Sequence, residues 1–505
     1  MSPEKPNNHV INVLNSTGIK IPDILLPDNI CCDYVKWSVV ACDQYTSNKT
    51  YWKDVSDYVG DAPSSLRLIL PEIYLADNFA DRVGAIHEKM NEYLAGNVFK
   101  APFNGFILTE RVLHPGMSSG GGGDRGGSDG CKNKGREHSR WGLIIAIDLE
   151  KYSYEPGTKT LIRSSEKTVR DRLPPRTAIR RGAALELPHV LILADDVDHT
   201  IIEPLAEDAA AGLLDKAYDF ELMAEGGHIR GYRIDAEGGP MRRVAGALGK
   251  LLRDALETYD APFLFAVGDG NHSLAAAKAY WDEVKAKAKL LQATQDANNN
   301  VYENLYEKEK TIEYCAARYA LVELVNLHSD AVLFEPIHRA LYNTTPQTVL
   351  DELGNYFKGC NISFNANNTN DLVGAYGNQA VHGCDYQLIY DGGKTASLHV
   401  DVPFGEQAAH LPVAEIQGFI DYLCLTYPDI SVDYIHGAGE LKRLAVEEDC
   451  FCFALPPVDK NGFFAAIAAN GTMPGKSFSM GEANDKRFYL EARKINERTN
   501  ERTNE

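Results

Sequence analysis

Residues 267–273, V-G-D-G-N-H-S, set an acid, an amide, an imidazole and a hydroxyl around two glycines. Asp269 suits a metal ion or the orientation of a neighbouring group, and His272 suits proton donation or general base catalysis near neutral pH. Gly268 and Gly270 permit positive φ and let a phosphate come close to the backbone, with Asn271 and Ser273 beside it. An apolar run at 263–267 precedes the corner, and Leu274, Ala277 and Trp281 follow at helical spacing. The expected geometry is a buried strand, a tight reversal capped by Asn271 or Ser273, and a helix whose N-terminal dipole favours an anion. A strand, a G-D-G turn and an asparagine cap also serve any strand-to-helix corner, so spacing alone leaves a purely structural role open.

An anion held there needs cations. Arg163, Arg170, Arg172, Arg176, Arg180 and Arg181 fall close together in a chain of formal charge −20. Pro174 and Pro175 are expected to stiffen this stretch into a loop that presents planar guanidinium groups to phosphate or carboxylate. A solvated loop with surface ion pairs is the plainer alternative. F-E-P-I-H-R, residues 334–339, offers His338 for catalysis and Arg339 for anion binding, where a strand is expected to give way to a helix. A buried ion pair or cap would account for it equally. Asp43 follows the strand-like W-S-V-V-A and is placed to meet a ligand. Lys476, in M-P-G-K-S, brings an ammonium group to a turn, while His436 in Y-I-H-G reads mainly as a structural histidine.

These groups must be positioned by a large scaffold. At 505 residues the chain exceeds what one hydrophobic core supports, which predicts roughly two to four domains. Its 44% apolar and 24% charged residues describe a folded chain. The 71 acids against 51 basic residues repel nucleic acid and anionic membrane over most of the surface, so neither is expected as a partner. No run of about eighteen apolar residues or secretory layout is present, and the ten cysteines form no C-x-x-C pair. The expectation is a cytoplasmic protein with reduced thiols. Walker, H-E-x-x-H and EF-hand patterns are absent, which removes the common P-loop, zinc-protease and calcium readings.

Strand-like runs alternate with helical spacing. Strands are expected at W-S-V-V-A-C, L-R-L-I-L-P-E-I-Y-L, N-G-F-I-L-T-E-R-V-L, W-G-L-I-I-A-I-D-L, H-V-L-I-L-A-D-D and H-I-R-G-Y-R-I, without a repeating βα period. The organisation expected is an N-terminal α/β region (1–115), a disordered Gly/Ser-rich insert (116–140), a central region carrying the G-D-G-N-H-S motif (141–345), a C-terminal α/β region (346–490) and a disordered tail (491–505). The fold class is α+β, an irregular mixed sheet packed by helices.

The block V-G-D-G-N-H-S-L-A-A-A-K resembles the signature of the DUF1015 family. So do W-S-V-V-A-C-D-Q-Y, P-S-S-L-R-L-I-L-P-E-I-Y-L, R-L-P-P-R-T-A-I-R-R-G-A-A-L-E-L-P-H-V, Y-A-L-V-E-L-V-N-L-H, F-E-P-I-H-R, D-Y-I-H-G and M-P-G-K-S-F. That resemblance carries no settled activity. The corner is also similar to that of ParB and sulfiredoxin-like proteins, a group that includes a free-serine kinase. This likeness implies a ParB-like core and a histidine-bearing helix start that contacts nucleotide phosphates. The pattern often has arginine after the histidine; here Ser273 stands there, so other residues would have to supply the charge.

The combined expectation is an enzyme acting on a small phosphorylated or nucleotide-linked substrate, as phosphotransferase or phosphohydrolase, with Mg²⁺ held in part by Asp269. A nucleotide- or ligand-binding regulatory module without turnover, and a structural or interaction protein, are the alternatives.

Overall fold

The computed structural model describes residues 8–113, 138–259, 261–296, 315–358, 361–367, 384–401, 412–448, 450–481 and 483–495. Residues 114–137, which include most of the Gly/Ser-rich insert, the polar stretch 297–314 and residues 496–505 lie outside the described residues. Residues 491–495, expected within a disordered tail, are described, with Ala492 and Ile495 buried and Arg493 paired with Glu186.

Two sheets organise the chain, and the fold is mixed α+β. The first contains β1 (Phe103–Leu113), β2 (His138–Asp148), β3 (Ile162–Ser164), β4 (Leu191–Ala194), β5 (Lys216–Glu221), β6 (His228–Asp235), β7 (Phe265–Asp269) and β8 (Tyr319–Asn326). Their spatial order is β3-β7-β4-β8-β2-β1-β6-β5, with Tyr152–Ser153 outside β3. β7 runs parallel to β3, and β8 parallel to β4, while the other principal pairings are antiparallel. β1 and β2 pair as the expected antiparallel neighbours, with Ile107 opposite Ile144.

The period-two alternation of β4 and β7 explains their burial on both faces. Ile192, Ala194, Phe265 and Val267 join the core under the helices Asn8–Ser16, Gly239–Thr258 and Asn271–Asp296. Leu191, Leu193 and Ala266 point the other way and share a core with the second sheet. That sheet comprises β9 (Phe334–Tyr342), β10 (Asn361–Asn367), β11 (Cys384–Tyr390), β12 (Lys394–Asp401), β13 (Ser431–His436), β14 (Phe451–Ala454) and β15 (Phe478–Met480). It is antiparallel, ordered β10-β12-β11-β14-β9-β13, with β15 added on β9.

Four local expectations are corrected. W-S-V-V-A-C is not a ladder strand: Trp37 ends the short helix Tyr34–Trp37, and Val40 makes only an isolated bridge to Phe488. Its apolar run is satisfied by burial, with Val39 and Val40 fully covered. L-R-L-I-L-P-E-I-Y-L forms two 3₁₀ turns, Ser65–Leu68 and Glu72–Tyr74. Pro71 separates them and has no N–H for a ladder. The arginine stretch is not a loop but a helix, α1 (Leu173–Arg180), because Pro174 and Pro175 occupy the first turn, where no N–H is needed. F-E-P-I-H-R lies wholly inside strand β9, so no strand-to-helix change occurs at His338.

Candidate functional site

β7 ends in a bulge. Val267 pairs with Ile192 while Asp269 pairs with Leu191, which inserts Gly268 as an extra residue and bends the strand end. A side chain at Gly268 would place its Cβ 2.5 Å from Met480 Sδ. Gly270 has φ +79°, and a Cβ there would stand 3.0 Å from Val190 Cγ2. The chain then enters α2 (Asn271–Asp296), whose first carbonyl acceptor is Gly270, bonded by the N–H groups of Ser273 and Leu274 at 3.0 Å each. Gly270 therefore stands where Asn271 or Ser273 was expected to cap. Asn271 instead turns back to β3, accepting from Ser164 Oγ at 2.5 Å and donating to Ser165 Oγ at 3.4 Å.

This helix start opens on a cleft of about 450 Å³ between the two sheets. Asp43, Arg172, Arg176, Gly268, Asp269, Gly270, Asn271, His272, Ser273 and Lys476 all line it. Arg172 and Arg176 come from the start of α1, one helical turn apart, and Lys476 from a turn where it adopts φ +59°.

Four predicted residues fall elsewhere. Arg180 pairs with Glu186 at 2.6 Å, and Arg181 with Glu283 at 2.8 Å. His338 is buried and accepts the Leu455 N–H on Nδ1 at 3.0 Å; burial first, and then the Arg339 charge, lower its pKa to about 4. Arg339 is wholly buried, donating to Gln417 Oε1 at 2.8 Å and to the Ile337 and Lys476 carbonyls at 2.7 and 3.2 Å. It therefore supports the Lys476 turn from below. Both cations rest on the Tyr434 ring, at 4.5 Å for Arg339 and 4.6 Å for Lys476.

The cleft has a defined electrostatic layout. His272 Nε2 accepts the Val169 N–H at 3.1 Å, so the neutral ring carries its proton on Nδ1. Burial, followed by the charges of Arg176 and Arg172, lowers its pKa to about 4. His272 is thus a neutral hydrogen-bond donor rather than a base at pH 7. Asp269 accepts the Gly270 N–H on Oδ1 at 2.9 Å, and its Oδ2 lies 3.1 Å from Lys486 Nζ. Glu166 takes the N–H groups of Ser477 and Lys476 at 2.8 and 3.1 Å, yet desolvation still raises its pKa. Glu72 is paired with Arg176. Asp43, bonded by Gln44 Nε2 at 3.0 Å, makes no salt bridge among the described residues.

Ser273 belongs to a separate chain of bonds. Its Oγ meets His189 Nε2 at 2.8 Å, and His189 Nδ1 meets Tyr489 OH at 3.0 Å. The Cys42 N–H donates to the same phenol oxygen at 3.2 Å.

Glu72, Glu166, Lys486 and His189 were not anticipated as site residues, and His436 proves to line the cleft. His189 alone carried a local signal, a histidine set directly against the apolar run of β4. The others arrive from distant segments. Among the described residues, no group of three or more His, Cys, Asp or Glu side chains could hold a metal ion. No described helix is long and apolar enough to cross a membrane.

The sequence matches the family model described as a protein of unknown function (DUF1015) over residues 30–121 and 131–421, and the chain belongs to that family. No curated protein matches it. Among solved structures it is similar to a conserved hypothetical protein from Pyrococcus furiosus, with 9% identity and a TM-score of 0.30, covering 69% of this chain and 90% of that one. It is also similar to a free serine kinase in complex with AMP, with 10% identity and a TM-score of 0.31, covering 70% and 91%.

Proposed function

We propose that this member of the DUF1015 family is an enzyme acting on a small phosphorylated or nucleotide-linked substrate, as a phosphotransferase or phosphohydrolase. One observation carries the reading. Arg172 and Lys476, neither in a salt bridge among the described residues, meet the neutral imidazole of His272 at a helix N-terminus inside one cleft, where Arg176 and Lys486 are already paired with Glu72 and Asp269. Two cations left outside salt bridges, beside the free N–H groups of a helix start, favour a compact anion.

The residues divide the work. Arg172, with its planar guanidinium, and Lys476 take phosphate oxygens. His272 donates through Nδ1–H while its Nε2 stays tied to Val169. Asp269 orients Lys486 and closes the glycine turn. Asp43, a cleft carboxylate with no salt-bridge partner among the described residues and bonded by Gln44 where Glu166 is held by the Lys476 and Ser477 N–H groups, accepts the proton of the attacking hydroxyl or water. Positioning and charge neutralisation supply most of the acceleration in phosphoryl transfer. Asp269 does not fit a resident Mg²⁺, because Lys486 occupies one oxygen and the Gly270 N–H the other. An Mg²⁺ ion would enter with the substrate phosphates, as this ion commonly does.

The test is thermal-shift screening with nucleotides and phosphometabolites, with and without Mg²⁺. A true ligand at a hundred times its Kd stabilises the protein by about 2.7 kcal/mol. That gain should shrink in His272→Ala, and the absence of stabilisation by any compound would overturn the reading. The engagement of Asp269 and of His272 Nε2 also favours a second reading, a regulatory module that binds the same ligand without turnover. Product formation followed by ³¹P NMR separates the two.

A further inference from the structure

The polar cleft does not end at the helix start. A second cavity of about 140 Å³ adjoins it, and the two share Arg176 and Ser273 as lining residues. Its chemistry is the opposite of the cleft's. Leu68, Ile69, Leu70, Met90 and Ile179 lie in its mainly apolar wall, the first four of them buried in the native chain.

Most of the few polar groups along this cavity are already occupied; the exception is the buried Nε of Arg180, which has no hydrogen-bond partner among the described residues. Glu186 is held by Arg180 and Arg493, both at 2.6 Å. His189 is bonded by its two nitrogens to Ser273 and Tyr489. Burial pushes the Cys42 thiol up to about 12, so it remains an uncharged –SH in the wall. The space therefore offers contact surface for apolar atoms and little for a second charge. An engineered apolar cavity of about 150 Å³ accommodates benzene, so a volume of 140 Å³ matches one small ring or a branched chain of similar bulk.

We infer that the substrate is amphiphilic: an organophosphate whose phosphate lies at the His272 helix start and whose apolar group, no larger than about one benzene ring, fills the cavity behind Ser273 and Arg176. Sharing two lining residues keeps the halves close, so the apolar group is attached within a few bonds of phosphorus. Ser273 and Arg176 stand at the junction, where they would meet the bridging oxygen. This inference rests on the phosphate reading of the cleft and adds the identity of what the phosphate carries.

Calorimetric titration of the full chain compares inorganic phosphate with phenyl phosphate. Burying the ring should make phenyl phosphate about 30-fold tighter than inorganic phosphate. Leu70→Trp fills the cavity, and Ile179→Phe fills it from another wall in case the first variant folds poorly. In either, the phenyl advantage should fall to about threefold or less, the range of a ring left largely in water. Equal affinities in the wild-type chain would overturn the inference and leave the phosphate reading standing. So would an advantage that both filled variants keep. No binding of either compound would instead overturn the phosphate reading, and the inference with it.

Discussion

A histidine that binds anions as an imidazolium behaves differently from one that donates a single hydrogen bond while neutral. An ordinary histidine has a pKa near 6.5 and gains charge as the pH falls through that value, which tightens an anion. His272 is held lower, at about 4, by burial and by Arg176 and Arg172. His436 is displaced in the same direction by desolvation and by Lys486 and Lys476. Sulfate, which keeps its charge across this range, should therefore bind with nearly constant affinity from about pH 8 to about pH 5.5. Calorimetric titration checks this, and a tightening centred near pH 6.5 would show that His272 binds as a cation. The same shift fixes a stability trend. The unfolded chain protonates these histidines near pH 6.5 while the folded chain resists, so stability falls as the pH drops from there towards 4, with His338 contributing in the same direction.

The strand-to-helix corner is the element that aims these groups, and its glycines are constrained by space as well as by φ. Gly270→Ala should cost about 1–3 kcal/mol in urea unfolding, since the residue sits at φ +79° with Val190 Cγ2 3.0 Å from the new Cβ. An unchanged midpoint would mean that the corner relaxes freely. This corner was legible in the sequence because every signal for it is local: an apolar run, two glycines and a helical stripe within twenty residues of Phe263. Asp43, Arg172, Arg176 and Lys476, singled out in the sequence as charged groups near turns and element ends, line the same cleft. Lys486 and Glu166 were not legible. They reach Asp269 and the Lys476 turn through tertiary pairing, and nothing in N-D-K-R or S-S-E-K announces it. His338 and Arg339 misled because a histidine and an arginine beside a proline look functional, whereas strand β9 buries both. The two missed strand assignments share one cause: residues 37–42 and 66–75 are apolar enough to be buried but form no continuous ladder, the first meeting distant backbone only at the Val40–Phe488 bridge and the Cys42 carbonyl, the second coiling into 3₁₀ turns.

At the scale of the molecule, the cleft lies where two sheets meet, and the last described segment joins its walls. β15 pairs with β9 of the second sheet, after which residues 483–495 cross onto the first. Arg111 and Arg140, from the centre of the first sheet, hold the Asn484 and Asp485 carbonyls at 2.7 Å each. Arg487 is buried against Glu323 and Glu491. Lys486 is thereby delivered to Asp269 from a backbone fixed on both sides. The central claim is that this assembled cleft binds phosphate groups through cations contributed by separate elements, Arg172 beside α1 and Lys476 beside β15. The most direct measurement is a calorimetric titration with inorganic pyrophosphate, comparing the wild-type chain with an Arg172→Gln/Lys476→Gln double variant of intact fold. Removing two charge-assisted contacts should weaken a saturable wild-type affinity by about 100-fold or more. No binding to the wild-type chain, or equal affinity in the double variant, would contradict the account.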